Sequence, residues 1–478
     1  MNKWVHIIGV CGVTTSGIAV CFKKEGWQVT GSDKGFFSPV SDYLLAYNIN
    51  VLPGFKKERL TNKAQHPDLV VFQGTKGINN EELLEAQRLR LTIKSYPEIL
   101  EDYVVNKKNS IVVCGSFGKT TTTALLVNIF KKTKYSTSFM VGGLNHNLSP
   151  NIVFNNKSDF SIIEGDEYIT SYQNPISKYF YYHPKYVILT GVSWDHADVF
   201  KNENEYIKNF IKFVKQIPKD GILVYNLDDN NAVKVSKEAI CKKITYKLSH
   251  IPSDKTDWEI IKDSKPLPCI VRNINNNKNL EIIPYERNVI GKINDENILA
   301  AAALAYELGI KKEIIQLGIK SFYGIKRRME IRYKTSDLII VDDFGSTPIK
   351  VSTSLKTIHE DFPNFHNVII FEPSSGNRVA ERIKSYEKTF LNSEMVILPR
   401  FSILPPSKSI KRFTEDDLAK KLMKSGFNAK VILNDILLVK FLSELAHKKK
   451  PLIILFMGSH SFRKIIPNLI EDVKKWKK

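Results

Sequence analysis

The run Ser110-Ile-Val-Val-Cys114, followed by Gly115-Ser-Phe-Gly118-Lys119-Thr120-Thr121, constrains this chain more than any other stretch. A five-residue β-type segment leads into a glycine-bounded loop, and a helical pattern follows from about Thr120 to Lys132. Such a loop aims backbone N–H groups and a helix N-terminus at phosphate oxygens. Lys119 then reaches the β- and γ-phosphates of a nucleotide, and the Thr120 hydroxyl can hold Mg2+. The eight-residue form of this pattern needs glycine at position 113, where Val113 stands, so the loop is a shortened variant. A bare Gly-Lys-Thr also occurs as a structural glycine turn; the flanking strand and helix favour phosphate binding.

The same strand–loop–helix rhythm recurs along the chain. Val5 to Gly9 runs into glycines and a helical stretch over Ile18–Lys24, and a second strand, Gln28–Thr30, ends at Gly31-Ser32-Asp33. Further strand runs are Leu69–Phe72, Thr92–Ile93, Phe160–Glu164, Tyr186–Thr190 and Gly221–Tyr225. Asn297–Leu308 reads as an alanine-rich helix stopped by Gly309. Strands at Leu338–Val341, Asn367–Phe371, Met395–Leu398 and Leu452–Met457 alternate with helical patterns. This predicts an α/β fold of parallel sheets. The 478 residues are enough for about three domains, with boundaries expected at 1–106, 107–324 and 325–478. The asparagine- and lysine-rich stretch Asn273–Asn279 reads as a surface loop.

The five cysteines form no Cys-x-x-Cys pair and read as reduced thiols, not a disulfide framework or zinc site. No apolar run approaches the roughly 20 residues that cross a bilayer, and the start MNKWVHIIGVCG is not read as a signal peptide. A cytoplasmic protein with no membrane partner is expected. The net charge of +20 is spread along the chain without an aromatic RNA-binding motif or a recognition helix. Lysine-rich genome composition explains it better than nucleic-acid binding, and a monomer or weak dimer is expected.

Two more stretches carry chemistry. Ile162-Ile163-Glu164-Gly165-Asp166-Glu167-Tyr168 places three carboxylates at a strand end, either as a solvated capping turn or as a Mg2+ site opposite the phosphate loop. Trp194-Asp195-His196-Ala197-Asp198 also follows a strand. If both strands are parallel neighbours, both tips share the sheet edge where α/β proteins put ligands.

The order Gly-Lys-Thr-Thr, Glu-x-Asp-Glu, Asp-His-x-Asp, Gly291-x-x-Asn294-x-x-Asn297, Arg327-Arg328-Met-Glu330 and Asp342-Asp343-Phe344 resembles the Mur ligases of peptidoglycan synthesis across the whole chain. The resemblance implies a UDP-sugar domain, a central ATPase domain and a Rossmann-like domain that receives the amine. It implies an ADP-forming amide-bond ligase that uses ATP and Mg2+ and works through an acyl phosphate. Gly115, Ser116, Gly118, Lys119, Thr120 and Thr121 would bind ATP phosphates, and Thr120, Glu164 and His196 would hold Mg2+. Asn297 resembles the adenine contact, Arg328 the arginine reaching the γ-phosphate and Asp343 the ribose-side aspartate. Lys119, His196 and Arg328 would carry the chemistry. Gly9, Gly12, Ser32 and Asp33 would bind the UDP-sugar.

The sequence departs from the family in having Gly345-Ser346-Thr347-Pro348 where histidines follow the Asp-Asp-aromatic run, and Ile293 where another histidine stands. The amine is read from Phe37-Ser-Pro39-Val-Ser41, Glu167-Tyr168, Asp195-His196-Ala197-Asp198-Val-Phe200, Glu372-Pro373-Ser374-Ser375 and Phe456-Met457-Gly-Ser-His460-Ser-Phe462. These resemble the branch that attaches the tripeptide L-alanyl-γ-D-glutamyl-meso-diaminopimelate to UDP-N-acetylmuramic acid, with the alanine-adding branch as the alternative. Ser374 stands where that branch has arginine; Asn377 and Arg378 nearby are expected to contact the amine substrate, and the loop from Gly458 to Arg463 to form the opposite wall. A non-catalytic UDP-sugar and ATP sensor is the alternative of another class.

Overall fold

The computed structural model describes residues 3–36, 40–61, 65–74, 79–144, 150–171, 173–194, 196, 199–248, 256–261, 268–274, 279–374, 377–402, 412–458 and 462–475. Phe37, Ser38, Pro39, Asp195, Ala197, Asp198, Ser375 and the Ser459–Ser461 stretch, all singled out in the sequence, lie outside them. The architecture is three α/β domains, each built on its own sheet. The chain divides into two compact units, Met1–Arg287 with Ile293–Phe322 and Asn288–Lys292 with Tyr323–Lys478. The first unit holds two sheets and the second holds one.

The first sheet has five parallel strands in the order Asn50–Pro53, Gln28–Asp33, Trp4–Ile8, Leu69–Phe72, Ile93–Ser95. Its order reverses beside Trp4–Ile8, so a crevice opens at the carboxyl ends of the central strands, as in other doubly wound sheets. The helix Val13–Lys24 starts there, straight after Gly12. Its buried face reaches the second sheet. Phe22 packs edge-on against Phe154 with centroids 5.2 Å apart, and Asn151 Nδ2 donates to the Val13 carbonyl at 3.3 Å.

The second sheet has ten strands. At its centre Ser110–Cys114 lies between Tyr186–Leu189 and Phe160–Gly165, parallel to both. Ser110–Cys114 is buried along its whole length, as a strand covered on both faces must be. The helix Lys119–Phe130 after it is buried around nearly all its circumference. By contrast, Glu203–Val214 is amphipathic, burying Tyr206, Ile207, Phe210, Phe213 and Val214 at helical spacing, and Asn202 caps it by accepting from Glu205 N. The helix expected from Asn297 begins earlier, at Lys292. The asparagine-rich stretch also differs from expectation. Asn273 belongs to the strand Cys269–Ile274 and Asn279 opens the antiparallel strand Asn279–Pro284, with 275–278 outside the described residues. Cross-strand pairing overrides the weak β-propensity of asparagine here.

The third sheet has six strands in the order Glu330–Lys334, Leu338–Asp343, Leu452–Gly458, His366–Glu372, Met395–Pro399, Ala429–Ile432. All neighbours are parallel except the edge pair Glu330–Lys334 and Leu338–Asp343. None of the five cysteines, all among the described residues, forms a disulfide. Among the described residues no helix is long and apolar enough to cross a membrane.

Candidate active site

The parallel order of the central sheet brings three loops to one edge: the glycine loop after Cys114, the acidic turn after Gly165 and the segment after Leu189. Gly115 and Gly118 have φ of +129° and +75°, where L side chains are strained. Space forbids a side chain as well. A Cβ on Gly118 would lie 2.3 Å from Asn297 Oδ1, and one on Gly115 would lie 2.3 Å from Thr190 Oγ1. Ser116 is tied to the third loop: its hydroxyl donates to the Ser193 carbonyl at 2.7 Å, and its N–H donates to the Gly191 carbonyl at 2.9 Å.

Lys119, at the first helical position, folds back. Its Nζ donates to the Gly115 carbonyl at 2.5 Å and to both oxygens of Glu167, at 2.9 and 3.2 Å. Tyr206 OH, delivered by the amphipathic helix, donates to Glu167 Oε1 at 3.1 Å. His196 Nε2 lies 3.6 Å from that oxygen, longer than a hydrogen bond, and its ring meets Tyr168 edge-on at 4.8 Å. Burial alone would raise the Glu167 carboxyl, but His196 and Lys119 overcome it and hold it at about 2. Burial likewise works to lower Lys119, and the charge of Glu167 reverses this, leaving it above the ordinary lysine value.

Thr120 Oγ1 donates to Glu164 Oε1 at 2.9 Å, and the Gly142 N–H donates to the other oxygen at 2.8 Å. The third carboxylate of the turn, Asp166, points elsewhere and accepts from Lys178 Nζ at 2.6 Å. Thr121 is half-buried in the first helical turn. Thr122 Oγ1 donates to Asn297 Oδ1 at 3.0 Å, and Asn297 Nδ2 donates to Asn294 Oδ1 at 3.0 Å. Of the expected metal-binding set, Thr120 and Glu164 are brought together, while His196 faces Glu167 and packs on Tyr168. Glu167 is the hub that the sequence reading left out of its site. Its signal was present in Glu-x-Asp-Glu, but its partners arrive from elements 29 to 48 residues away in sequence.

Among the described residues no three His, Cys, Asp or Glu side chains converge as a metal cage. Mg2+ on a nucleotide needs no such cage, because it keeps waters and binds substrate phosphates with one or two protein ligands. The oxygen donors Thr120 and Glu164 fit that ion.

In the first sheet, Gly9 adopts φ +81°, and the N–H groups of Gly9 and Val10 donate to the Ser32 carbonyl at 2.8 and 3.1 Å. Thr15 Oγ1 donates to the Gly9 carbonyl at 2.6 Å, and a Cβ on Gly12 would lie 2.8 Å from that hydroxyl. Asp33 Oδ2 accepts the Cys11 N–H at 3.0 Å. Gly9, Gly12, Ser32 and Asp33 thus form one tip at the carboxyl ends of adjacent strands.

In the second unit the adjacent arginines separate. Arg327 is buried at φ +59°, with its Nε 3.4 Å from Asp342 Oδ1 and its Nη2 donating to the Gly458 carbonyl at 2.6 Å. Arg328 is exposed. Asp343 accepts the N–H groups of Met329 at 2.8 Å and Gly345 at 2.6 Å, so it organises both turns around that exposed arginine. Burial raises Asp343 and pushes Asp342 up to about 6, with Arg327 opposing the latter. The residues expected to contact the amine, Asn377 and Arg378, are bonded within the chain. Both are buried; Asn377 bridges Ser374 Oγ and Arg382 NH1, while Arg378 donates to the Ser402 carbonyl at 2.6 Å and covers the Phe401 ring. Arg463 pairs with Asp435 through two bonds of 2.9 Å.

The Mur ligase middle domain matches residues 113–305, and the domain described as "Mur ligase family, catalytic domain" matches residues 4–108. The UDP-N-acetylmuramate–L-alanine ligase of Clostridium tetani is 30% identical over 427 residues, 89% of each chain. The crystal structure of UDP-N-acetylmuramate-alanine ligase MurC from Thermotoga maritima superposes with a TM-score of 0.73 at 21% identity, over 100% of this chain and 99% of that one. The murein peptide ligase Mpl of Psychrobacter arcticus gives 0.66 at 22% identity over 99% of each. With two domain matches, a relative similar over most of both chains and a nucleotide-type loop facing clustered carboxylates, the chain belongs to the Mur ligase family of ATP-dependent amide-bond ligases.

Proposed function

We propose that the chain joins the carboxylate of UDP-N-acetylmuramic acid to the amine of a peptide of the L-alanyl-γ-D-glutamyl-meso-diaminopimelate type, in peptidoglycan synthesis or recycling. The convergence of Lys119, Thr120, Glu164, Glu167 and His196 at one sheet edge carries the ligase reading. Residues 1–106 then bind the nucleotide sugar, 107–324 the ATP and 325–478 the amine.

A carboxylate is a poor acyl donor because its leaving group is oxide. Transfer of the γ-phosphoryl group makes an acyl phosphate. The amine attacks the carbonyl, and the tetrahedral intermediate collapses by expelling phosphate. Gly115, Ser116, Gly118 and Thr121 shape the phosphate cradle, and Lys119 exchanges Glu167 for phosphate oxygens, offsetting charge as it develops. Thr120 and Glu164 would hold Mg2+, with His196 beside Glu167, and the bound ion would supply further charge neutralisation. Asn297 braces Gly118 and supports the adenine side. Asp343 holds the turns that present Arg328 toward solvent as a donor for the γ-phosphate. Gly9, Gly12, Ser32 and Asp33 build the UDP-sugar tip. Asn377 and Arg378 act on the amine site by shaping it: Asn377 bridges Ser374 and Arg382, and Arg378 holds the Ser402 carbonyl.

The peptide reading draws on Glu167-Tyr168, with Tyr168 packed on His196, and on Glu372-Pro373-Ser374 at a strand end in the amine domain. The second reading, free L-alanine as the amine, is favoured by the Clostridium tetani relative. A screen of phosphate release with UDP-N-acetylmuramic acid, ATP and either L-alanine, other amino acids or the tripeptide decides between them. Turnover with the tripeptide and not with alanine is expected; efficient use of alanine alone installs the second reading, and no release with any amine removes the ligase assignment.

A further inference from the structure

Beneath the Gly9–Asp33 tip lies a buried carboxylate that the chemistry above does not use. Glu82 sits in the first turn of the helix Glu81–Arg88, where Asn80 accepts the N–H groups of Glu82 and Leu83, both at 3.0 Å. A carboxylate is stabilised at that helix position. Glu82 is 0% exposed, yet both its oxygens are engaged. Oε2 accepts the Ser32 hydroxyl and faces His6 Nε2 at 3.3 Å. Oε1 accepts from the Lys56 N–H at 3.0 Å and from Arg59 Nη1 at 3.3 Å. One side chain thus joins the first strand, the end of the second, the segment after the third and a helix. Ser32 is also the residue whose carbonyl receives Gly9 and Val10, so its position fixes the glycine turn and the neighbouring Asp33.

We propose that Glu82 is a positioning residue for the nucleotide-sugar subsite, holding Ser32 from below so that the Gly9–Gly12 turn and Asp33 meet the substrate preformed. This rests on the reading of Gly9, Gly12, Ser32 and Asp33 as that subsite. Glu82→Gln can keep an acceptor toward Lys56 and Arg59, but it presents an amide donor to Ser32 and forces that hydroxyl to reverse. Losing a buried charge-assisted bond at a binding tip weakens binding by about tenfold or more.

The test uses the full chain. KM for UDP-N-acetylmuramic acid and the Kd for UDP itself should rise about tenfold in Glu82→Gln, while kcat and KM for ATP stay within about twofold. Ser32→Ala should move the same two constants in the same direction, which keeps the test alive if Glu82→Gln does not fold. Thr30→Val is the control for instability alone. Thr30 Oγ1 bonds Trp4 Nε1 and contacts His6 Nδ1, both at 2.8 Å, on the far side of the network. That variant should lower Tm without moving KM. Unchanged UDP affinity in both Glu82→Gln and Ser32→Ala, or an equal rise in KM for ATP, overturns the proposal. A wild-type chain that does not bind UDP overturns the subsite reading itself, and the proposal with it.

Discussion

Lys119 Nζ lies 2.9 Å from Oε2 of Glu167, a residue only 1% exposed that is reached from the end of the neighbouring strand. The charge of Lys119 is thereby balanced by a carboxylate, and on the proposed function phosphate oxygens compete with that carboxylate for it.

Lys119→Ala should lower the rate of phosphate release by roughly 100- to 1,000-fold, the usual loss when one donor to developing charge is removed. UDP affinity should be unchanged, since the proposed nucleotide-sugar tip belongs to the other sheet of that unit. Steady-state phosphate release beside UDP titration calorimetry checks this, and parallel loss of both in a folded variant contradicts it.

Glu167 carries a pH signature. Its carboxyl is held at about 2 against an ordinary 4.5. A carboxylate depressed by folding contributes stability above its unfolded value, and that contribution is lost as pH falls from about 4.5 toward 2. Glu167→Gln should therefore be less stable than wild type at pH 7, by up to about 3 kcal/mol, with the gap closing in acid. Chemical unfolding of both proteins at pH 7 and pH 3 measures it; a gap that widens in acid refutes the pairing.

Asp342 has the opposite sign. Burial pushes it up to about 6 from 3.8, despite Arg327. Folding then takes up a proton between these values, so its contribution to stability grows as pH falls from about 6 to 4 and is lost as pH rises through 6. In Asp342→Asn this component of the pH dependence should vanish. An identical pH dependence of unfolding in wild type and variant would count against the assignment.

How far the sequence foretold this arrangement depends on the range of the interaction. The loop from Gly115 to Thr121 was legible because its strand, glycines and helix are contiguous, and both glycines do adopt the left-handed region. The shared edge of the Glu164 and His196 loops followed from parallel-sheet topology. The role of Glu167 is not legible in sequence because its partners include Tyr206, brought by a helix that only tertiary packing orients. The sorting of Arg327 inward and Arg328 outward rests on a backbone at φ +59°, which no side-chain pattern announces. Arg378, expected to contact the amine, instead caps the Ser402 carbonyl with its guanidinium across 24 residues of chain, a partner that local sequence does not reveal.

Gly118→Ala should cost about 1–2 kcal/mol in stability from the left-handed backbone alone, and more from the clash with Asn297. Because Asn297 also receives Thr122, the displaced loop should weaken ATP binding by at least about tenfold. Thermal unfolding with and without ATP reads both; a variant that retains wild-type ATP protection contradicts the bracing role of Asn297.

The central claim is activation of a substrate carboxylate by phosphoryl transfer, and oxygen tracing tests it most directly. UDP-N-acetylmuramic acid labelled with 18O in its carboxylate is incubated with the chain, ATP, Mg2+ and the acceptor amine, and the released phosphate is analysed by mass spectrometry. An acyl phosphate requires one carboxylate oxygen to leave with phosphate for each amide bond formed, so singly labelled phosphate should appear in step with product. Phosphate released without label, while amide product forms, would contradict the account.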